Sequence, residues 1–376
     1  MFNLNFKMNL IKIQSKFNIT TVLIAPLDWG LGHATRCIPL IKALLLNNCK
    51  VIIACNKQQK KLLEQEFTNV AFLFLEGYNI TYASNPKLLP LSILKQLPQI
   101  NKAINRENLW LNKIIDKHDI KLVISDNRYG LYSNKVPCVF VTHQLTIKAP
   151  FSFVEKYLQL INYQFINRFT ACWVPDFASD NNVAGILSHP KKMPNIPVSY
   201  IGLLSRFKTT KTIDKKYDFC VVLSGPEPQR TVLEQLILKD IHLINSTILL
   251  VRGKPLSEEN LPTFLNVEIV NHLVGSDLQL AFQQSNYIIS RSGYSTVLEL
   301  LSLQKKSILI PTPGQTEQEY LGKKLMTQGW CYTISQKEFS LQKAISEAEK
   351  FKYQLPQLET VSLQDFIAQF LEKQFK

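Results

Sequence analysis

A histidine and an arginine follow two glycines near the start of the chain, in the segment Gly30-Leu31-Gly32-His33-Ala34-Thr35-Arg36. The β-branched run Val22–Ala25 precedes the segment and a helical pattern follows it, so we predict a strand-to-helix turn. There a neutral His33 can take a proton from an attacking hydroxyl, because the ordinary pKa of imidazole lies near neutral pH. Arg36 offers a guanidinium fork to a phosphate or carboxylate of an acceptor. In the simpler alternative the glycines only make a tight turn and His33 caps the helix.

A second junction of this kind occurs late in the chain, where Arg291-Ser292-Gly293-Tyr294-Ser295-Thr296 follows the run Tyr287–Ser290. The unpaired N–H groups of a helix start bind anions, and two such junctions facing one cleft suit a diphosphate. Glu299, further into the helix, can accept hydrogen bonds from ribose hydroxyls or can be a surface charge. The donor-binding residues predicted at the two junctions are Gly30, Gly32, Arg291, Ser292, Gly293, Ser295, Thr296 and Glu299.

Two more polar loops follow predicted strands of the second half, at 224–230 and 311–318. The first offers hydroxyl, amide and guanidinium donors to a phosphate. The second offers carboxamides, which suit sugar hydroxyls. The first loop holds two prolines and can also be a rigid connector, and the second can be a plain helix cap. The candidate ligands in these loops are Ser224, Gly225, Arg230, Gln315 and Gln318.

Asp126 and His143 each come directly after a predicted strand of the first half. The carboxyl ends of parallel strands meet at one edge of a sheet, so both residues are expected near His33. Either can assist the base, and Arg128 can bind the acceptor. Each alone is equally compatible with an Asx turn or with a histidine whose hydrogen bonds are all internal.

Short apolar runs alternate with helical patterns along both halves, which predicts an α/β fold with two doubly wound parallel sheets. The first-half runs are Val22–Ala25, Val51–Cys55, Val70–Leu75, Leu122–Ser125, Cys138–Thr142, Ala171–Val174 and Val198–Ile201. The second-half runs are Phe219–Ser224, Thr247–Val251, Val267–Val270, Tyr287–Ser290, Ser307–Pro311 and Cys331–Ile334.

A length of 376 residues favours two domains. The polar stretch 205–216 has no hydrophobic period, so we predict a first domain at 1–204, a linker at 205–216 and a second domain at 217–358. The last helix, within 359–376, has an apolar stripe that must pack on another element.

The net charge of +14 is concentrated in residues 1–204, which carry 23 Lys and Arg against 11 Asp and Glu. Such a surface attracts anionic lipid, polyanionic substrates or nucleic acid, or is simply a solvated lysine-rich face. Dense basic runs and aromatic stacking motifs are missing, so we do not expect a nucleic-acid partner.

The seven cysteines are scattered and form no CxxC pair, which predicts a reducing cytoplasm and neither disulfides nor a zinc site. No Asp-x-Asp occurs, and the histidines lack metal-ligand spacing, so no metal is expected. Residues 1–15 lack the pattern of a secretory signal, and no apolar run is long enough for a membrane span.

Taken together, the 30–36, 224–230, 291–299 and 311–318 segments resemble the successive signatures of GT-B glycosyltransferases. They are most similar to the peptidoglycan N-acetylglucosaminyltransferase family that acts on a lipid-linked muramoyl intermediate. The resemblance implies two Rossmann-like domains closing on a nucleotide sugar, and a last helix that returns to the first domain. It also implies inverting, metal-independent transfer with no cofactor, with Ser224, Gly225, Ser292 and Gly293 at the diphosphate, Glu299 at the ribose and His33 at the acceptor.

The leading hypothesis is a cytoplasmic glycosyltransferase, peripheral on the inner face of the membrane, that transfers a sugar from a UDP-sugar to a glycan or lipid-linked acceptor. In it, His33 is the base, aided by Asp126 or His143. The first alternative is a nucleotide-sugar hydrolase or 2-epimerase on the same scaffold, which the Gly-x-Gly-His-x-x-Arg pattern also resembles. The second is a non-enzymatic protein that binds polyanions.

Overall fold

The computed structural model describes residues 19–78, 89–149, 151–208, 213–255, 257, 262–359 and 361–375. A seven-stranded parallel sheet forms the first half, in the order β3-β2-β1-β4-β5-β6-β7. Its strands are β1 (Thr21–Pro26), β2 (Lys50–Cys55), β3 (Ala71–Phe74), β4 (Leu122–Asp126), β5 (Cys138–Val141), β6 (Ala171–Val174) and β7 (Val198–Tyr200). Its helices are α1 (Leu31–Leu46), α2 (Lys57–Glu66), α3 (Leu89–Lys117) and α4 (Ser152–Ile166).

A six-stranded parallel sheet forms the second half, in the order β10-β9-β8-β11-β12-β13. Its strands are β8 (Tyr217–Val222), β9 (Ile248–Val251), β10 (Val267–Val270), β11 (Ser285–Ser290), β12 (Lys306–Leu309) and β13 (Tyr332–Thr333). Its helices are α5 (Gln229–Asp240), α6 (Gly275–Gln283), α7 (Tyr294–Ser302), α8 (Thr316–Thr327) and α9 (Leu341–Lys350), and α10 (Leu363–Phe375) ends the chain. Both sheets reverse their strand order once, which confirms the predicted doubly wound architecture.

The strand interiors are apolar on both faces because helices cover both sides of each sheet. All six residues of β1 are buried, as are five of the six residues of β2. The sheets reverse order between β1 and β4 and between β8 and β11. Ligands of doubly wound folds bind at the carboxyl ends of the strands beside such a reversal. The loops after these four strands are therefore where a site belongs.

The last helix crosses from the second sheet to the first. The Trp173 ring on β6 makes edge contacts with Phe366 and Phe370 of α10, at centroid distances of 5.1 and 4.9 Å. Ile367 between them is fully buried, and Asn47 after α1 donates a hydrogen bond to the Gln364 carbonyl at 3.0 Å. The apolar stripe of α10 thus packs against the first half.

Two predictions concern residues outside those described. The N-terminal segment predicted to lack a secretory signal falls within residues 1–18, and the predicted linker includes residues 209–212. None of the described helices combines the length and the apolarity that crossing a bilayer requires.

Two lysines at the amino-terminal edge of the second sheet share their acceptors. Lys215 Nζ lies 2.7 Å from the Gln283 carbonyl oxygen, and Lys305 Nζ lies 3.0 Å from the same atom. Both also approach the Ser285 carbonyl oxygen, at 3.2 and 2.9 Å. Burial of Lys305, and then its neighbour Lys215, lower the pKa of Lys305 to about 7.

This pair predicts that Lys305 contributes stability that grows as the pH rises from about 7 to about 10.5. In that window the unfolded chain binds a proton at Lys305 that the folded chain does not, which increases the free energy of unfolding with pH. Buried thiols such as Cys220, with raised pKa values, act in the opposite direction at alkaline pH. Lys305→Met should therefore make the slope of stability against pH less positive than in the wild type, whereas Lys306→Met, on the exposed neighbour, should leave the slope unchanged. Urea midpoints measured across this range check the prediction, and equal slopes in both variants would contradict it.

Candidate active site between the two domains

The two glycine junctions meet face to face. Ser295 Oγ at the start of α7 donates a hydrogen bond to the Gly32 carbonyl at the start of α1, at 3.0 Å. A Cβ on Gly32 would lie 3.2 Å from that hydroxyl, so a side chain there would crowd the contact. At Gly30, Gly225 and Gly293 an added Cβ would meet nothing within 4 Å. The loops after β1, β8 and β11 therefore border open space.

Asp126 forms a hydrogen bond with His33. The contact is expected, because β1 pairs with β4 and the two residues lie at the carboxyl edge of these strands. His33 Nδ1 lies 2.8 Å from Asp126 Oδ2. Nδ1 also lies 3.0 Å from Arg36 Nη2, but its shorter contact is with the ionised carboxylate, which only accepts, so we assign the hydrogen to Nδ1 and the lone pair to Nε2. Nε2 makes no hydrogen bond with any other described residue, and 16% of the side chain is exposed. This is the geometry of an oriented base.

Arg36 is not the open acceptor ligand that we expected. Its side chain is buried, with Nε donating to Asp126 Oδ1 at 2.9 Å and Nη1 donating to His143 Nδ1 at 3.0 Å. The physical reason is Asp126, a fully buried carboxylate that requires a cation beside it. Burial raises the pKa of Asp126, but Arg36 and then His33 outweigh it and lower the pKa overall. Burial and then Arg36 lower the pKa of His33.

His143 lies behind Arg36 and reaches across to the second domain. Its ring stacks on the Tyr294 ring with centroids 3.8 Å apart and an interplanar angle of 3°. Its Nε2 lies 2.7 Å from Glu317 Oε1, and Gln144 Nε2 donates to Glu317 Oε2. Glu317 is absent from the predicted site, although it immediately precedes the predicted Gln318.

Arg128 also differs from its expected role as an acceptor ligand. Its side chain is fully buried, and Nε donates to Glu107 Oε1 at 2.7 Å. The remaining nitrogens donate to the carbonyls of Pro26 and Glu76. Arg128 therefore ties together the loops after β1, β3 and β4 instead of facing the cleft.

Arg230 likewise lies inside the second domain. Its guanidinium donates to Glu227 Oε1 at 2.6 Å, to Glu234 Oε2 at 3.1 Å and to the Arg252 carbonyl at 3.1 Å. Glu234 is one helical turn away, where an acid and a base pair readily. Ser224 and Gly225, in contrast, are exposed, and Gly225 has a φ of +101°, a backbone conformation that favours glycine.

Arg291 is a buried cation without a carboxylate partner among the described residues. Its nitrogens donate to the carbonyls of Gln229, at 2.7 Å, and Ile310, at 3.2 Å, and no atom of the described ranges accepts a hydrogen bond from Nε. Burial lowers the pKa of Arg291 to about 10. Placing a charge in low dielectric without a counterion is unfavourable, so an anion bound beside the start of α7 would stabilise it.

The two glutamines of the loop after β12 are bonded to each other and to their own loop. Gln318 Nε2 donates to Gln315 Oε1, and Gln318 Oε1 accepts from the Thr312 N–H at 2.9 Å. Ser292 Oγ donates to the Gln318 carbonyl at 2.8 Å. The loop after β11 and the loop after β12 thus form one connected wall of the cleft.

Glu299 faces Arg206, in the stretch predicted to be the linker. Arg206 Nε donates to Glu299 Oε1 at 2.7 Å, and the two side chains are 12% and 10% exposed. Burial raises the pKa of Glu299, although Arg206 opposes that effect. Arg206 stands in the polar linker stretch, whose sequence carries no periodic signal that could have singled it out.

Within the described ranges, no group of three or more His, Cys, Asp or Glu side chains is arranged so that it could hold a metal ion. The cleft is lined instead by a buried polar network on the first-domain side and by helix starts and hydroxyl groups on the second-domain side.

Solved structures with the same overall fold are glycosyltransferases. The glycotransferase of kitacinnamycin matches with a TM-score of 0.62 at 11% identity, over 96% of this chain and 100% of that chain. MurG of Acinetobacter baumannii matches with a TM-score of 0.58 at 13% identity, over 95% and 100% of the two chains. The protein therefore has the GT-B fold, two Rossmann-like domains facing a cleft.

The match to a protein family lies in the second domain. Residues 219–373 match the model of the glycosyltransferase family 28 C-terminal domain. The chain is 31% identical over 90 residues to a UDP-N-acetylglucosamine–N-acetylmuramyl-(pentapeptide) pyrophosphoryl-undecaprenol N-acetylglucosamine transferase of Caldicellulosiruptor saccharolyticus, covering 23% of this chain and 24% of that protein. A Sulfurihydrogenibium enzyme of the same name is 27% identical over 133 residues, covering 34% and 37%.

The matched segments thus span between 18% and 37% of the length of the curated relatives. The resemblance to this family inferred from the sequence motifs is confirmed.

Proposed function

We propose that the protein is an inverting, metal-independent glycosyltransferase that moves a sugar from a UDP-sugar to a hydroxyl of a lipid-linked acceptor in cell-envelope glycan synthesis. The observation that carries the proposal is the His33–Asp126 pair. Its free Nε2 lies beside the meeting point of the two helix starts, where a donor and an acceptor would come together.

The donor half of the proposal rests on the second domain. The start of α7 and the exposed Ser224 and Gly225 offer N–H and hydroxyl donors to a diphosphate. The buried charge of Arg291 has no carboxylate partner in the part of the chain that the structure describes, and a diphosphate would supply the missing counterion. The curated relatives named above use UDP-N-acetylglucosamine by their names, which supports a UDP-sugar here.

The proposed lipid-linked acceptor is supported by the first domain and by the names of the curated relatives, which specify an undecaprenol-linked substrate. Phe151, Tyr157 and Leu160, at the start of α4 and along it, are all more than 60% exposed, and Lys156 lies among them. Apolar side chains with lysines beside them bind anionic lipid surfaces. This arrangement supports peripheral association with an anionic membrane surface, which we place on the inner face as part of the proposal.

The chemistry is a single displacement. The acceptor hydroxyl oxygen forms a bond to the anomeric carbon while the bond from that carbon to the diphosphate oxygen breaks. His33 Nε2 takes the hydroxyl proton, and Asp126 stabilises the resulting imidazolium. The start of α7 and Arg291 stabilise the negative charge on the departing UDP, which requires no cation from solution.

Release of UDP from UDP-N-acetylglucosamine, measured with and without undecaprenyl-linked acceptor, tests this function. We expect release to depend on the acceptor and to persist in EDTA. Full release without acceptor would indicate the hydrolase alternative instead. Loss of release in EDTA that Mg²⁺ restores would overturn metal independence.

A further inference from the structure

A continuous series of polar contacts joins the base to the opposite domain. It runs from His33 through Asp126 and Arg36 to His143, and from His143 to Glu317 at the start of α8. Its first four members belong to the first domain, and Glu317 alone belongs to the second. Both carboxylate oxygens of Glu317 accept from first-domain side chains.

The hydrogen positions on His143 follow from which of its neighbours can only donate and which can only accept. A guanidinium only donates, so His143 Nδ1 must accept from Arg36 and hold a lone pair. The hydrogen of the neutral ring is then on Nε2, where Glu317 accepts it. Glu317 therefore selects the one tautomer of His143 that can accept from Arg36, and stacking on Tyr294 of the second domain fixes the plane of the ring.

Arg36 carries this constraint to the base. It donates to His143 Nδ1 and to Asp126 Oδ1, and the other oxygen of that carboxylate accepts from His33 Nδ1. If His143 were free to rotate or to exchange its tautomer, Arg36 would lose one of the two partners that set its position. The orientation of Asp126, and with it that of His33, depends on Arg36.

We propose that Glu317 is a positioning residue that orients the His33–Asp126 pair only while the second domain is closed on the first. The inference rests on the proposed function and adds a condition to it. Two-domain enzymes open and close around their ligands, and a contact made only in the closed state ties the chemical step to closure. Glu317 supplies such a contact from the loop that also bears Gln315 and Gln318.

Glu317→Ala is the first test, with Glu317→Gln as the conservative variant. We expect the alanine variant to lower kcat by about 3- to 30-fold, the range of typical coupling energies, with the donor KM little changed. The glutamine variant keeps an oxygen that accepts from His143 and should recover most of the rate. Glu319→Ala is the matched control, because Glu319 accepts from the Gly314 N–H of the same loop but is exposed.

A raised donor KM with unchanged kcat in Glu317→Ala would mean that Glu317 only contacts the sugar, and would overturn the proposal. So would a glutamine variant as slow as the alanine variant, or an equal loss of kcat in Glu319→Ala.

A measurement without substrate separates this inference from the proposed function. Burial first, and then Arg36, lower the pKa of His33, which also faces Asp126, His143 and the charge of Glu317. Glu317→Ala and Glu317→Gln both remove that charge, but only the alanine variant loses the interdomain contact. Reduced burial should therefore make the pKa of His33, followed by NMR and assigned with His33→Ala, higher in Glu317→Ala than in Glu317→Gln. Such a difference without turnover of any nucleotide sugar would keep the coupling and exclude the proposed function, whereas equal pKa values in the two variants would overturn the coupling.

Discussion

His33→Ala is expected to lower the rate of sugar transfer by about 10²- to 10⁴-fold, the usual contribution of a general base. The loss should appear in kcat, because His33 belongs to the first domain and the diphosphate and ribose are expected on the second. Binding of UDP, measured by calorimetry, should be unchanged. His33 is partly exposed at a helix start, so the variant should fold normally.

His118→Ala is the matched control for this variant. His118 follows α3, at the opposite end of the first sheet from the cleft, and should tolerate replacement without loss of transfer. A His33→Ala variant that retains more than about a tenth of the wild-type rate would exclude His33 as the base.

The pH profile gives an independent check on the same residue. Burial and Arg36 lower the pKa of His33 below its ordinary value of 6.5. A base works in its neutral form, so transfer should persist at mildly acidic pH and the acidic limb of kcat/KM should fall below that value.

The positions of His33 and Asp126 could be predicted because they depend on strand order alone. Buried parallel strands are short apolar runs, and β1 and β4 are neighbours in every sheet of this winding. Residues directly after those strands must therefore meet at the carboxyl edge. The same logic correctly brought the 30–36 and 291–296 junctions together across the cleft.

The roles of Arg36, Arg128 and Arg230 could not be predicted in this way. The sequence shows that an arginine stands near a loop, but the partner that buries it lies far along the chain. Asp126 is 90 residues from Arg36, and Glu107 is 21 residues from Arg128. The arginines that follow strand ends here are structural cations inside each domain, and Arg291 is the exception because no described carboxylate neutralises it.

Helix α2 and the contact made by Glu317 were not predicted from the sequence. Helix α2 (Lys57–Glu66) has only two buried residues, Gln59 and Leu63, so its sequence carries almost no apolar stripe. A capping box between Asn56 and Gln59 defines its start instead. Glu317 went unassigned because its partners, His143 and Gln144, lie in the other domain.

Asp126→Asn should cause the largest loss of all, and through two separate effects. Asparagine can donate to His33 Nδ1, which would place the hydrogen on Nε2 and leave no lone pair for the acceptor hydroxyl. Loss of the correct tautomer costs about 10⁴-fold in a comparable Asp-His arrangement. In addition, Arg36 would remain buried without its anion, which should lower the free energy of unfolding by about 3–5 kcal/mol.

Asp176→Asn distinguishes the two effects. Asp176 is a fully buried aspartate that follows strand β6 of the same sheet, and it accepts from the N–H groups of Val183 and Ala184 and from Ser188 Oγ. Its replacement should also destabilise the first domain, but no catalytic histidine depends on it. Assayed well below both unfolding midpoints, Asp176→Asn should transfer sugar near the wild-type rate while Asp126→Asn should not. Equal activity in the two variants would mean that Asp126 acts only on stability, and that the orientation of His33 has another source.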